Sequence, residues 1–410
     1  MELPILGERQ RILSRRLLEA SIICFIIVYP FSVWWCNAFI PLICLFSIFS
    51  SSVSYKIEKL KTTPGFWVMM IYFVITVIGF AYSTNRQNAW NFIERSVGFF
   101  ALPLFFGTAK LEAQFLRKIF LTIVAVTTGS AIYCLVSNIL YFLDNKISFD
   151  YFFYWEYSYE HLTSFINFHP TYFSILILNS IVILVLAFKK GLLVRIFLIV
   201  FLSLFQIMVG AKIGILLLFF IFNALAVGYI IQHKKKRLFI AYVAINLITL
   251  IALYNTPVVY WRFRRAFESA TSTPGFEGTD YRLLHWSCAI QVIEKSPIVG
   301  VGTGDARGEI NDCYKERHKD ELLDYNAHNQ LLETWTKSGI FGTIIVFLVL
   351  AAPYYKSVLT RNYIFMFAFL IFLVVSLVES IFSVQKGIAI FCFLSVLFQG
   401  PLIGVKKRIA

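Results

Sequence analysis

The fold is decided by apolar stretches such as VRIFLIVFLSLFQIMVGAKIGILLLFFIFNALAVGYII, residues 194–231. Its only charged residues are Arg195, near the start, and Lys212, in the short segment Val209-Gly210-Ala211-Lys212. Each half is long enough for a helix that crosses the roughly 30 Å hydrocarbon core of a bilayer. We therefore predict two membrane-spanning helices here, joined by a tight turn on the outer side of the membrane.

The rest of the chain repeats this pattern. Of its 410 residues, 59% are hydrophobic and only 15% are charged, and the mean hydropathy is +0.73. A soluble domain needs far more polar surface. We predict an all-α polytopic integral membrane protein, one domain over residues 1–410, with about twelve transmembrane helices. The predicted spans lie near residues 18–36, 38–53, 66–82, 95–107, 118–142, 171–188, 194–210, 213–231, 238–254, 339–355, 363–381 and 387–404.

Lysine and arginine residues accumulate in alternate connections between these spans, which is typical of the cytoplasmic side of a membrane protein. The basic groups lie at residues 9–16, 56–61, 117–118, 189–195, 233–237, 356–361 and 406–408. This pattern predicts that both termini are cytoplasmic. It also accounts for much of the net charge of +14, so the basic composition requires no nucleic-acid partner.

Polar sequence is concentrated in two outer loops, a smaller one at residues 143–170 and a large one at residues 255–338, between spans nine and ten. Five of the six histidines lie in these loops. The large loop has apolar residues at helical spacing from about Thr279 to Glu294, which predicts a surface helix. Cys288 and Cys313 also lie there and could pair in an oxidising compartment, although their spacing matches no metal or redox motif.

A glycine-rich segment, Gly300-Val301-Gly302-Thr303-Gly304, follows the predicted surface helix. Its backbone amides could approach phosphate oxygens. The segment lacks the surroundings of a dinucleotide-binding or P-loop motif. The alternative is a tight reversal between two surface helices.

His328 stands just before the tenth predicted span, in the pattern His328-Asn329, nine residues, Gly339-Ile340-Phe341-Gly342. If this stretch is helical, His328, Leu332, Trp335, Gly339 and Gly342 share one face, because they are three or four residues apart. The two glycines would then let a neighbouring helix or a lipid approach closely. We expect His328 to have a chemical role at the membrane surface.

Several cations on the outer side could bind phosphate groups, since guanidinium and ammonium groups pair with phosphate oxygens. The candidates are Arg282, Arg265 and Lys212. For Lys212 the alternative is an anchor at the bilayer edge, and for Arg265 it is a contact with lipid headgroups.

The other histidines have simpler interpretations. We expect His285 simply to cover the surface helix. His169 and Tyr172 lie in His169-Pro170-Thr171-Tyr172, which has the proline typical of a helix start and which we also keep as a candidate substrate-binding segment.

These motifs together resemble those of the O-antigen ligase family, membrane glycosyltransferases related to the O-antigen polymerases. The histidine-glycine pattern is similar to the family signature, and the large outer loop between spans nine and ten agrees with it. Further similar positions are Tyr281-Arg282, Trp286, Pro297, Gly300-Val301-Gly302, Gly304, Glu379-Ser380 and Gln385-Lys386-Gly387.

The resemblance implies transfer of a glycan from undecaprenyl diphosphate to a sugar hydroxyl of lipid A-core, or of another glycan acceptor, with inversion at the anomeric carbon. It places the protein in the bacterial inner membrane with its active site in the periplasm, and it requires no metal and no cofactor. His328 would be the general base, and the adjacent Asn329 is a candidate substrate-binding residue. Arg282 would hold the diphosphate, with Lys212 where the family usually has an arginine and Arg265 assigned by proximity.

Two groups of alternatives stay open. Within the same chemistry, the protein could be a polymerase of O-antigen or another surface polysaccharide, or a protein O-oligosaccharyltransferase. A transporter of an anionic lipid or solute is the alternative from a different class. Transporters tend to place ionisable residues near the middle of the bilayer and to contain internal repeats, and Glu379, near a span end, is the residue that favours this class.

Overall fold

The computed structural model describes residues 8–233, 236–261, 263–264, 281–400 and 402–403, and these are almost entirely helical. The α-helices are α1 (Glu8–Val28), α2 (Val33–Ser50), α3 (Val53–Thr62), α4 (Pro64–Tyr82), α5 (Arg86–Ser96), α6 (Gly98–Leu104), α7 (Ala113–Asp144), α8 (Tyr159–Ser164), α9 (Pro170–Leu186), α10 (Leu192–Val209), α11 (Lys212–His233), α12 (Lys236–Asn255), α13 (Arg282–Lys295), α14 (Ala306–Glu316), α15 (Gln330–Leu359), α16 (Tyr363–Ser376) and α17 (Gln385–Gln399). Two short strands, β1 (Leu111–Glu112) and β2 (Leu402–Ile403), pair in parallel.

The prediction of an all-α membrane protein is confirmed. Six of the described helices are long and apolar enough to cross a membrane, namely α2, α4, α7 from Gln114, α10, α11 and α15. Four shorter apolar helices accompany them, namely α9, α12 from Tyr242, α16 and α17. The count of twelve spans is therefore not confirmed, because several predicted spans correspond to helices shorter than a full crossing.

The fourth predicted span, at residues 95–107, is wrong as a continuous helix. The chain there forms the end of α5, the seven-residue helix α6 and a 3-10 turn at Phe106–Thr108. Pro103 lies inside α6, where its ring prevents regular helix continuation. Seven residues rise only about 10 Å, too little to cross the hydrocarbon core.

The described chain divides into two compact units, and the first consists of residues 1–122 and 282–410. In this unit α1 packs on α2, α15 packs on α4 and α16, and α13 packs on α14 and α15. An aromatic cluster supports the segment before α17: the ring centroid of Phe382 lies 4.9 Å from that of Phe99 and 5.0 Å from that of Phe391. The segment that carries Glu379 is thereby fixed to the core.

The second unit consists of residues 123–281, and α9 is its buried element. Helices α10 and α11 pack against α9, and Gln206 Nε2 donates to Ser174 Oγ at 2.9 Å. Gly210, with φ of +65°, ends α10 and lets α11 begin at Lys212. The predicted tight turn between these two helices is confirmed.

Candidate active site

Helix α15 begins at Gln330, and Asn329 is its N-cap residue. The Asn329 side-chain oxygen accepts hydrogen bonds from the amides of Leu331 and Leu332, at 2.9 and 3.2 Å, as a capping asparagine does. His328 therefore lies outside the helix. Its φ is +44°, a left-handed conformation that is uncommon for a residue with a side chain, and its amide donates to Asn326 Oδ1 at 2.8 Å.

The predicted common face of His328, Leu332, Trp335, Gly339 and Gly342 is wrong for two reasons. His328 precedes the helix, and Gly339 interrupts it with φ of +64° and ψ of −165°. Only glycine adopts this conformation readily. A Cβ at residue 339 would lie 2.0 Å from the carbonyl oxygen of Ile298, so the close approach allowed by Gly339 is to the large loop of the same chain.

The glycine-rich segment packs against this interruption of α15. The amides of Val301 and Gly302 donate to the carbonyls of Thr336 and Lys337, at 2.9 and 3.2 Å, and the Gly304 amide donates to Ser83 Oγ at 2.9 Å. These N–H groups are engaged within the protein. The geometry therefore favours the tight reversal over the phosphate-binding interpretation.

The His328 imidazole faces the Glu379 carboxylate. Nδ1 of His328 lies 3.3 Å from both carboxylate oxygens of Glu379. The Glu379 side chain is 8% exposed and that of His328 is 20% exposed. A carboxylate at Nδ1 holds the proton on that nitrogen and leaves Nε2 with its lone pair. The ring is therefore oriented to accept a proton at Nε2, and part of it is open to solvent.

The two segments that carry this pair are connected by several hydrogen bonds. The Asn329 amide donates to Ser380 Oγ at 3.2 Å, and Asn329 Nδ2 donates to the Leu377 carbonyl at 3.0 Å. Gln330 Oε1 accepts from the Phe382 amide at 2.7 Å. The start of α15 and the segment after α16 thus form one rigid part of the site, although Glu379 is 51 residues from His328.

Two aromatic rings pack against the His328 ring. The His285 ring centroid lies 4.9 Å from that of His328, and the Tyr325 ring lies 5.7 Å from His285 and 5.9 Å from His328. His285 is 4% exposed, and its Nδ1 lies 2.6 Å from the Tyr314 hydroxyl. The expectation that His285 only covers a surface helix is wrong, because it packs directly behind His328.

Tyr314 and a disulfide hold α13 against α14 at this point. Burial, reinforced by the nearby Glu333 carboxylate, raises the pKa of Tyr314, so its phenol stays protonated. Cys288 and Cys313 form a disulfide, which answers the question that the sequence left open. The disulfide links the helix of His285 to the helix of Tyr314.

Arg282 is the first residue of α13, which the sequence predicted as the surface helix of the large loop. It is half-buried and lies three residues, a rise of about 4.5 Å, before His285 in the helix. Trp286 lies four residues after Arg282, so the two side chains share one side of α13. The buried Nε1 of Trp286 has no hydrogen-bond partner among the described residues. The helix that places His285 against His328 therefore also carries a guanidinium, from Arg282, and an indole N–H, from Trp286.

Four candidate residues remain. His169, Tyr172 and Lys212 belong to the second unit, and Arg265 lies outside the described residues. His169 is the N-cap residue of α9, and its Nδ1 accepts from the Thr171 amide at 3.3 Å. Tyr172 is buried beside it, with ring centroids 5.7 Å apart. Within the described ranges, no three histidine, cysteine, aspartate or glutamate side chains come together as a metal site.

Residues 171–347 match the family model described as O-antigen ligase. Over this stretch the chain is similar to the O-antigen ligase family. It includes Lys212, Arg282, His328 and Asn329, whereas Glu379 lies beyond it. At a coarse level, this similarity points to a membrane glycosyltransferase of the O-antigen ligase or polymerase type. None of the curated proteins compared matches the chain.

Proposed function

We propose that this protein is an O-antigen ligase-like glycosyltransferase of the bacterial inner membrane. It moves a glycan from undecaprenyl diphosphate to a sugar hydroxyl of lipid A-core, on the periplasmic face and without a metal. The observation that carries this proposal is the pair formed by His328 and Glu379 beside the start of α15, with Nδ1 directed to the carboxylate.

His328 is the general base in this proposal. Its Nε2 takes the proton from the acceptor hydroxyl while that oxygen bonds to the anomeric carbon of the donor sugar. The Glu379 carboxylate stabilises the imidazolium that forms, as a carboxylate does for the histidine of a serine hydrolase. Such proton transfer typically contributes about 10²- to 10⁴-fold in rate.

Arg282 is the proposed partner of the leaving group. When the bond between the anomeric carbon and the phosphate oxygen breaks, its electron pair remains on undecaprenyl diphosphate. A guanidinium can bind two phosphate oxygens at once and stabilise this charge. The buried Trp286 N–H on the same side of α13 offers a further donor. Lys212 and Arg265 stay predicted additional cations.

Two observations support the proposed side of the membrane. The basic groups of the sequence alternate in a way that predicts an outer position for the large loop. The same loop contains the disulfide between Cys288 and Cys313, and disulfides persist in oxidising compartments such as the periplasm. Both observations support a periplasmic active site.

The direct test is glycan transfer by the purified protein. It should be incubated with a defined undecaprenyl diphosphate glycan and with lipid A-core, with and without a chelator. We expect a glycan-bearing lipid A-core product in both conditions. Product that appears only when metal is present would contradict the mechanism, and the absence of product with any acceptor would contradict the enzyme assignment.

The acceptor decides between the ligase and its closest alternatives. Lipid-linked repeats that are joined to each other would indicate a polymerase, and glycan on a polypeptide would indicate a protein O-oligosaccharyltransferase. In cells that lack the gene, long polymer that remains on its carrier lipid is expected for a missing ligase, whereas single capped repeats would indicate a missing polymerase. Movement of substrate across vesicles without transfer would favour a transporter.

Arg282→Ala tests the diphosphate assignment. We expect a rise of about tenfold or more in the KM for the lipid-linked donor, because a charge-assisted hydrogen-bond pair contributes roughly 1.5–3 kcal/mol. Arg282→Lys should recover part of the loss, since it keeps the charge without the planar fork. Donor and acceptor titrations of both variants provide the measurement, and an unchanged donor KM in the alanine variant would contradict the role.

A further inference from the structure

Glu333 makes contacts that the proposed reaction does not explain. It lies in the first turn of α15 and is 4% exposed. One carboxylate oxygen accepts a hydrogen bond from the amide of Ala327 at 3.0 Å. The other accepts from Lys337 Nζ at 2.6 Å and from Ser383 Oγ at 3.3 Å.

The two neutral partners of Glu333 belong to the segments that carry the proposed catalytic pair. Ala327 directly precedes His328, whose backbone is left-handed with φ of +44°. Ser383 lies four residues after Glu379, and its carbonyl also accepts from Arg95 Nη1 at 3.5 Å. A single carboxylate therefore bonds to both segments.

Lys337 balances the charge of Glu333 inside the protein. Its ammonium lies 4.0 Å from the centroid of the Phe92 ring, and its side chain is 10% exposed. A buried ion pair can often be replaced by apolar residues of similar size without loss of stability. The ion pair alone therefore gives no strong reason for a carboxylate at position 333, whereas the need for a hydrogen-bond acceptor for the Ala327 amide and the Ser383 hydroxyl does.

We propose that Glu333 is a positioning residue that sets the geometry of the His328–Glu379 pair through the Ala327 amide and the Ser383 hydroxyl. It touches no substrate. The inference rests on the proposed function, because it assigns to Glu333 the task of holding the general base. A small displacement of a catalytic group can reduce the rate by about 10²-fold.

Two matched double variants separate the hydrogen bonds from the ion pair. Glu333→Gln with Lys337→Met removes both charges but keeps a side-chain oxygen that can accept from the Ala327 amide. Glu333→Leu with Lys337→Met removes both charges and that oxygen. We expect the Gln/Met protein to retain most of the wild-type kcat. The Leu/Met protein should lose about 10- to 100-fold in kcat. Its KM values for donor and acceptor should stay within about twofold of those of the Gln/Met protein.

Hydrogen exchange gives a readout that needs no substrate. Peptides that cover residues 325–329 and 377–384 should exchange faster in the Leu/Met protein than in the Gln/Met protein, because the Ala327 amide and Ser383 have lost their acceptor. Equal kcat and equal exchange in the two proteins would overturn the inference. A loss of kcat that is the same in both would also overturn it, because the ion pair would then be the important contact.

Ser383→Ala keeps the inference testable if the Leu/Met protein fails to fold. This variant leaves the ion pair and the Ala327 bond intact, and we expect a severalfold loss of kcat with faster exchange at residues 377–384. Unchanged kcat and exchange would overturn the inference. Failure of the proposed function is distinguishable, because it would appear as an absence of transfer by the wild-type protein while the exchange comparison still reports on Glu333.

Discussion

Two helices of this protein begin next to a histidine, and the two histidines are used differently. At α9, His169 is itself the N-cap residue, its backbone is extended, and its Nδ1 accepts the Thr171 amide. At α15, Asn329 is the N-cap residue and His328 stands one position earlier with φ of +44°. The imidazole of His328 is therefore directed to Glu379 and not to the backbone.

The difference shows how a neighbouring residue changes the chemistry available to a histidine. A capping side chain satisfies helix amides that would otherwise lack partners. Because Asn329 does this at α15, both ring nitrogens of His328 are available for other groups. The left-handed backbone of His328 costs roughly 1–3 kcal/mol, which the surrounding hydrogen bonds offset. Strain of this kind is concentrated at functional sites.

Of the two histidines compared, His328 is the one whose replacement should have the largest effect on activity. His328→Ala should lower kcat for glycan transfer by about 10²- to 10⁴-fold, because it removes the general base, while the protein remains inserted and folded. His318→Ala is the matched control, since His318 is an exposed histidine that also has positive φ. Initial rates of purified proteins measure both. Normal transfer by His328→Ala would reject the base assignment.

The second-largest effect is expected on replacement of Glu379, the residue whose carboxylate lies beside the His328 imidazole. Glu379→Gln keeps the size of the side chain but removes the charge that stabilises the imidazolium, so we expect kcat to fall by roughly 10- to 10³-fold. The KM for the donor should change little. Steady-state kinetics with both substrates varied provide the measurement. An unaltered kcat would show that the contact between Glu379 and His328 is structural only.

Asn329→Ala tests the N-cap of α15. Because Asn329 caps the helix, the His328 ring is not needed for that purpose. The change removes two capping bonds and the bond to the Leu377 carbonyl, and we expect a loss of about 2 kcal/mol in the free energy of unfolding. Asn329→Asp should recover most of it, since aspartate also caps helices. Thermal unfolding in detergent measures both variants. An Asp variant with native stability but no transfer would instead support the predicted contact of Asn329 with substrate.

The smallest effect is expected at the other helix start. His169→Ala removes the cap of α9 and should cost about 1 kcal/mol in the free energy of unfolding. His169→Asn, which restores a strong capping residue, should return the melting temperature to near the wild-type value. Stability of the alanine variant equal to that of the wild type would mean that the two helix starts differ less than the geometry indicates.

Parts of the site were predictable from short motifs. His328 and Arg282 were identified because their spacing to nearby glycine, tryptophan and proline residues resembles a family pattern. Glu379 was predicted only as an ionisable residue near a span end and as one of several positions similar to the family, without a contact to His328, and Glu333 and His285 were not assigned a role in the site. Their partners lie in other segments, so no local pattern in the sequence records these contacts.

The sequence by itself determined the environment and the class of fold, because long apolar runs can satisfy their backbone polar groups in lipid only as helices or closed barrels, and the runs here have the length of helices. It also determined which residue types are available for chemistry. Only the tertiary structure decided that α15 starts at Gln330, two residues after His328, that Gly339 interrupts this helix against Ile298, and that the Glu379 carboxylate lies beside the His328 imidazole. These outcomes depend on capping, backbone conformation and packing between distant segments, which apolar periodicity does not encode.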